Sequence, residues 1–139
     1  MIFPTWEEVI ALNRYHIEHT TGLYLGPDNL LHPGSLDSIL YAIQNLYFGV
    51  DRYPTLVEKS AALSWTIIDR HVFHDGNKRT GISILEIFLR ANGYEIAASN
   101  DELMQIAIRI AKGSEEDYSL SEFTQWIRSR LYRKALYTL

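Results

Sequence analysis

The stretch "TGISILEIFLRANG", residues 80–93, constrains the fold more than any other part of the chain. Ile82, Ile84, Leu85, Ile87, Phe88 and Leu89 fall on every side of a helix, and only Ser83, Glu86 and Arg90 interrupt them. A helix without a polar face has to be covered all round, so this segment is predicted to run through the middle of a bundle. Asn92-Gly93 supplies its C-terminal stop.

The remaining segments read as the covering helices. Thr5 can cap "WEEVIALNRYHIEH", with Glu8 placed to complete a capping box and Trp6, Val9, Ile10, Leu12 and Ile17 as a rough apolar stripe. "TTGLYLGPDNLLHPGS" is a long loop rich in glycine and proline, and long ordered loops in compact domains are often functional. Ser35 is predicted to cap "LDSILYAIQNLYF", which "GVDRYP" breaks, and a third helix runs from about Thr55 into His71. "YEIAA" is a strand or an extended connector. Ser99 or Asn100 caps "DELMQIAIRIAKG", and Ser119 or Ser121 opens a last helix, "EFTQWIRSRLYRKAL". With 139 residues and no internal repeat or linker, the prediction is one domain over residues 1–139. Its fold class is all-α, a compact bundle of about six helices around a buried central one.

Composition removes several function classes. The apolar share of 47% and charged share of 22% are those of globular domains, which argues against disorder. No apolar run reaches the roughly 18–20 residues of a membrane span. The first residues lack a basic region followed by an apolar one, so the chain is expected to be cytoplasmic. The absence of cysteine excludes disulfides, thiolate metal sites and a cysteine nucleophile. A net charge of −4 disfavours direct nucleic-acid binding. From Trp126 onward there are Arg128, Arg130, Arg133 and Lys134 and no acid, which reads as a solvated helix end or, alternatively, a partner-binding tail.

Just before the apolar helix stands "HVFHDGNKRTG", residues 71–81, a dense polar insert between two core segments. If Gly76 lets the backbone turn and approach a ligand, Asn77, Lys78 and Arg79 occupy the first helical turn. The unpaired amides there form an anion site. Two cations beside the positive end of a helix oppose its dipole, and they make sense if a polyanion sits between them. Arg79 could fork onto phosphate oxygens and Lys78 act as a point charge. Asp75 is a hard oxygen ligand suited to Mg²⁺, and His71 belongs to the residue type that most often serves as a general base near neutral pH. These parts suit phosphoryl or nucleotidyl transfer. Each also has a plain structural reading: Asp-Gly is a common turn, Asp a common cap, and a lone histidine is often structural. Phe73 is expected to anchor the loop in the core. His16 and His19, three apart, could share a helix face, but a structural zinc site wants four ligands and is not expected here. His32, in its Pro/Gly loop, is predicted to be exposed.

The insert resembles the signature of the Fic/Doc family, roughly His-x-Phe-x-Asp/Glu-Gly-Asn-Gly/Lys-Arg, with His71, Phe73, Asp75, Gly76, Asn77, Lys78 and Arg79 in those places. "GVDRYPTLVEKSAAL", "FLRANGYEI" and "IAKG" are similar to flanks of its death-on-curing (Doc) branch, so the resemblance covers most of Ser35–Gly113. AMP-transferring members typically have Gly where this chain has Lys78, and a second Arg where it has Ile82. Both departures are shared by the Doc branch, whose members look like protein kinases. The resemblance implies a toxin that transfers the γ-phosphate of ATP, with Mg²⁺, to a Ser/Thr hydroxyl of a translation factor of the elongation factor Tu type. By similarity His71 would be the base, Asp75 would hold Mg²⁺, and Gly76, Asn77, Lys78 and Arg79 would bind phosphate. The internal inhibitory motif of some Fic proteins, Ser/Thr-x-x-x-Glu followed by Gly or Asn, is absent. Restraint would then come from a separate antitoxin chain docking as a helix. The alternatives are AMP transfer on the same fold and a non-catalytic nucleotide- or partner-binding module.

Overall fold

A computed structural model describes residues 1–135. The apolar segment forms α4 (Asn77–Ala91), which packs against α1 (Trp6–Glu18), α3 (Leu56–Asp69), α5 (Asn100–Ala111) and β1 (Tyr94–Ile96). Ile84, Leu85, Phe88 and Leu89 are fully buried, each worth about 1.5–3 kcal/mol of apolar transfer. Ile87, 37% exposed, and the half-buried Glu86 mark the one side left open. The contact of α3 with α4 is the tightest: a Cβ on Gly81 would lie 2.5 Å from Ile68 Cγ1, and Ser64 Oγ donates to the Gly81 carbonyl at 2.8 Å.

This pair divides the core in two. On one side Val9 of α1, and Leu36 and Ile43 of α2 (Pro33–Gln44), meet Leu63, Ile67, Ile84 and Phe88. On the other, Leu103 and Ile110 of α5, and Phe123 and Ile127 of α6 (Leu120–Arg130), meet Ala61, Ile68, Leu85 and Leu89. The described residues thus contain six α-helices, a 3₁₀ turn at Gly113–Glu115 and a two-stranded sheet of three-residue strands. The all-α expectation holds. None of these helices is long and apolar enough to cross a membrane.

The caps follow the sequence closely. Thr5, Thr55, Ser99 and Ser119 each accept a backbone N–H of the first turn. Ser99 and Glu102 form a reciprocal capping box. Thr5 makes only half of one, because its hydroxyl, rather than its backbone N–H, donates to Glu8 Oε1 (3.0 Å).

Three boundaries differ from expectation, one of them the end of α2, which stops at Gln44 rather than running to Phe48 because Asn45 is extended and Tyr47 pairs with Val50 in a turn. α2 begins at Pro33, with His32 as its cap residue and Ser35 already inside it, since proline at the first helical position has its φ preset and needs no amide partner. The last helix stops at Arg130, and Leu131–Arg133 becomes β2, antiparallel to β1 with Ile96 opposite Leu131 and Glu95 opposite Tyr132. Strand pairing satisfies the "YEI" backbone, and Tyr132 Oη donates to Glu95 Oε2 at 2.7 Å, which outweighs the helical propensity of "RSRLYRK". The expected end of that helix at Leu136 lies outside the described residues. The basic residues there are engaged within the fold. Arg128 pairs with Glu58 (3.6 Å), Arg130 with Glu102 (2.8 Å), and the Arg133 guanidinium lies 5.9 Å from the centre of the Tyr94 ring.

Candidate functional site

The polar insert joins the end of α3 to the start of α4. His71 is exposed and sits at φ +51°, in the left-handed region. Its Nδ1 lies 3.2 Å from the Asp69 carbonyl, which can only accept. The neutral ring therefore carries its proton on Nδ1 and keeps the Nε2 lone pair free to take one. Val72 and Phe73, both fully buried, pin the loop to the core as expected of Phe73.

The long Gly/Pro loop acts as a splint for this segment. Residues 29–32 run antiparallel to 71–74: the Leu31 and His32 amides both donate to the Val72 carbonyl (2.8 and 3.0 Å), Leu30 bridges Phe73, and the His74 amide donates to the Asn29 carbonyl (2.8 Å). His32 is exposed, as expected, yet its Nδ1 also donates to the carbonyls of Arg70 and His71 at 2.9 and 3.1 Å. It thereby fills acceptors that the end of α3 leaves open.

Gly76 stands immediately before α4 at φ +81°, and a Cβ there would lie 2.9 Å from Asn13 Nδ2. The first intrahelical bond runs from the Thr80 amide to the Gly76 carbonyl (2.9 Å), so the amides of Asn77, Lys78 and Arg79 precede it. They form the free N-terminal nest that the sequence suggests. The Asn77 side chain is occupied, accepting from the Phe73 amide (2.9 Å) and donating to the Phe73 carbonyl (2.8 Å). What Asn77 offers an anion is chiefly its backbone N–H.

Below the nest lies a buried polar network. Asn13 Nδ2 donates to the Asp75 carbonyl (2.8 Å) and to Thr80 Oγ1 (3.2 Å), and Asn29 Nδ2 donates to Asn13 Oδ1 (2.9 Å). Asn13, Asn29 and Thr80 are all fully buried. The Asp75 carboxylate is held by two amides: Oδ1 accepts from Gly76 (2.8 Å) and Oδ2 from Leu23 (2.9 Å).

A cavity of about 370 Å³ opens over this arrangement. It is lined by Asp75, Gly76, Lys78 and Arg79 from the insert and the start of α4, by His16, Thr20 and Thr21 from the end of α1 and the loop after it, and by Met104 of α5. Among the described residues neither Lys78 nor Arg79 has an acidic partner, so both charges face the cavity uncompensated. His71 is not one of the lining residues. His16 Nε2 lies 2.7 Å from Ser83 Oγ, and burial first, then the Arg79 and His19 charges, push its pKa down. No group of three or more His, Asp or Glu is assembled for a metal among the described residues. Asp75 alone, exposed and with lone pairs left on both oxygens, suits an ion such as Mg²⁺ that takes its other ligands from phosphate and water.

The residues missing from the sequence reading are Asn13, Asn29 and the tethering role of His32, while His16, weighed there only with His19 as a metal-ligand pair, lines the cavity. One signal was available: Val9, Asn13 and Ile17 share a helix face, and an asparagine between two buried aliphatics needs a polar partner in the core. The partners themselves lie 16 to 67 residues away and have no local signature.

The profile of the Fic/DOC family matches residues 3–89. The Toxin Doc of Mycolicibacterium smegmatis is 41% identical over 68 residues, which are 49% of this chain and 52% of that protein. The chain thus spans about half the length of that relative. The "Protein kinase doc" of Escherichia phage P1 is 31% identical over 129 residues, covering 93% of this chain and 94% of the phage protein.

Proposed function

The chain belongs to the Fic/Doc family, and on that premise we propose that it is a Doc-type toxin kinase. It moves the γ-phosphate of ATP to a Ser/Thr hydroxyl of a translation factor of the elongation factor Tu type. The observation that carries this reading is the nest itself. A left-handed Gly76 presents the free amides of α4 to a cavity beside two unpaired cations, Lys78 and Arg79. Such a site stabilises the charge on a phosphoryl group in transfer. The phage relative named a protein kinase aligns over nearly the whole chain, which supports the same reaction.

In this reading the γ-phosphate lies on the amides of Asn77, Lys78 and Arg79, with Arg79 and Lys78 sharing its charge. The acceptor hydroxyl gives its proton to His71 Nε2, its oxygen bonds to phosphorus, and the bond to the β-phosphate oxygen breaks to release ADP. His71 is exposed and outside the cavity wall, which suits a hydroxyl brought by a macromolecule rather than one held in the pocket. Asp75 would hold Mg²⁺, which when bound neutralises charge between the phosphates. Position 82 speaks against AMP transfer, because Ile82 is 6% exposed and packed in the core, so no second cation reaches the cavity from there. Restraint in the cell falls to a separate antitoxin chain, given the missing inhibitory motif.

The test incubates the protein with purified elongation factor and ATP labelled at the α- or the γ-phosphate. Label from the γ position is expected on the factor, and label from the α position alone overturns the kinase reading. His71→Ala should lower transfer by at least about 100-fold. Lys78→Gly should lower it by on the order of 100-fold, through loss of a charge at the transferred group.

A further inference from the structure

The cavity has one titratable wall residue outside the signature, His16 on α1. Three observations set it apart from a structural histidine. It lines the same cavity as Lys78 and Arg79, and reaches it from α1 rather than from α4. Its Nε2 is fixed at 2.7 Å from the hydroxyl of Ser83, one turn beyond Arg79 on α4. Its Nδ1 has no partner among the described residues, although the ring is only half-exposed.

We propose that His16 is the third basic group of this cavity and binds the phosphate chain of the ligand from the α1 side. This rests on the phosphate-binding reading above. The surroundings explain why the group is held in reserve. Burial and the Arg79 and His19 charges disfavour the imidazolium in the empty cavity. The groups around it are His19 and Tyr15 from α1, Lys78 and Arg79 from α4, and Asp75 from the loop, while α5 brings only the uncharged Met104. A phosphate chain in the cavity offsets the two α4 cations and adds its own negative charge, so the charged ring becomes the favoured form. Ligand binding and proton uptake at His16 are then linked, in the sense that lower pH tightens binding.

The probe is inorganic tripolyphosphate, the phosphate chain of ATP without its nucleoside, added to the full-length protein. The His16 ring is followed by NMR across pH with and without the probe, and binding is measured by calorimetry in buffers of different ionisation enthalpy. The expected results are a His16 titration displaced to higher pH on saturation, net proton uptake near neutrality, and loss of that uptake in His16→Gln. The same substitution should weaken binding about tenfold, as expected for a lost charge-assisted hydrogen bond. The wild-type titration needs no variant, so misfolding of His16→Gln cannot mask the answer. Binding with an unmoved His16 titration overturns this proposal and leaves the phosphate site standing. Absence of binding overturns both.

Discussion

Asn13 shows how one buried side chain can hold the backbone of a site from beneath. Its amide bonds the Asp75 carbonyl and Thr80, and its oxygen receives Asn29, so three chain segments meet at one fully buried group. Asn13→Leu keeps the branched shape but removes the bonds to the Asp75 carbonyl, Thr80 and Asn29, leaving the Asn29 amide and the Asp75 carbonyl with only the 3.3 Å bond between them. A loss of about 1–3 kcal/mol in urea unfolding is expected, together with weaker phosphate binding. A variant as stable and as tightly binding as the wild type would show the network to be dispensable. At this scale the candidate residues His71, Asp75, Lys78 and Arg79 stood out because they are dense, local and out of place between two core helices, and the fold brings three of them, Asp75, Lys78 and Arg79, to one cavity. Their supports did not. Which amide asparagine 13 will meet depends on how the chain folds back, and nothing within reach along the sequence records it.

The elements obey local rules where local energetics decide. The hydroxyl caps could be read to within a residue or two, Thr5 outright and Ser99 and Ser119 each as one of two candidates, because an N-cap acts within three residues of itself. Removing the strongest of them, in Ser99→Ala, should lower stability by about 1 kcal/mol by thermal or urea unfolding. The misread boundaries have two kinds of cause, a distant partner in one case and local geometry in the other two. β2 exists because β1 lies beside it, and the start of α2 moved to Pro33 because ring geometry outranks a serine cap. The exposed turn at Tyr47–Val50 closes on itself, the amide of each of these two residues donating to the other's carbonyl. Asp51, just after it, bonds Lys59 Nζ at 2.9 Å, and Lys59 is buried in α3. Asp51→Ala leaves that ammonium buried without its carboxylate, and a clear drop in the urea midpoint is expected.

For the whole molecule, pH sets stability through carboxylates that the fold holds in charged form. Asp51 is held below its ordinary range first by the Lys59 hydrogen bond, Glu95 by the Tyr132 hydroxyl, and Glu102 by the Ser99 amide. Their contribution is complete above the ordinary carboxylate range of about 4 and is lost as pH falls through the lower folded values. Glu86 works in the opposite direction: burial raises its pKa, so its share fades as pH rises through the raised value. Urea midpoints should therefore decline steeply below about pH 4, and Glu102→Gln should flatten that decline. The splint of residues 29–32 has a kinetic counterpart. The α3–α4 pair is the most closely packed part of the core, but the nest also needs the N-terminal quarter of the chain to stay docked on it. Partial opening can detach that quarter without melting the centre. In native-state hydrogen exchange, the amides of Leu23, Leu31 and His74 should then exchange together and earlier than those of Ile84 and Phe88. The molecule would be folded by every bulk measure while its chemistry was transiently dismantled.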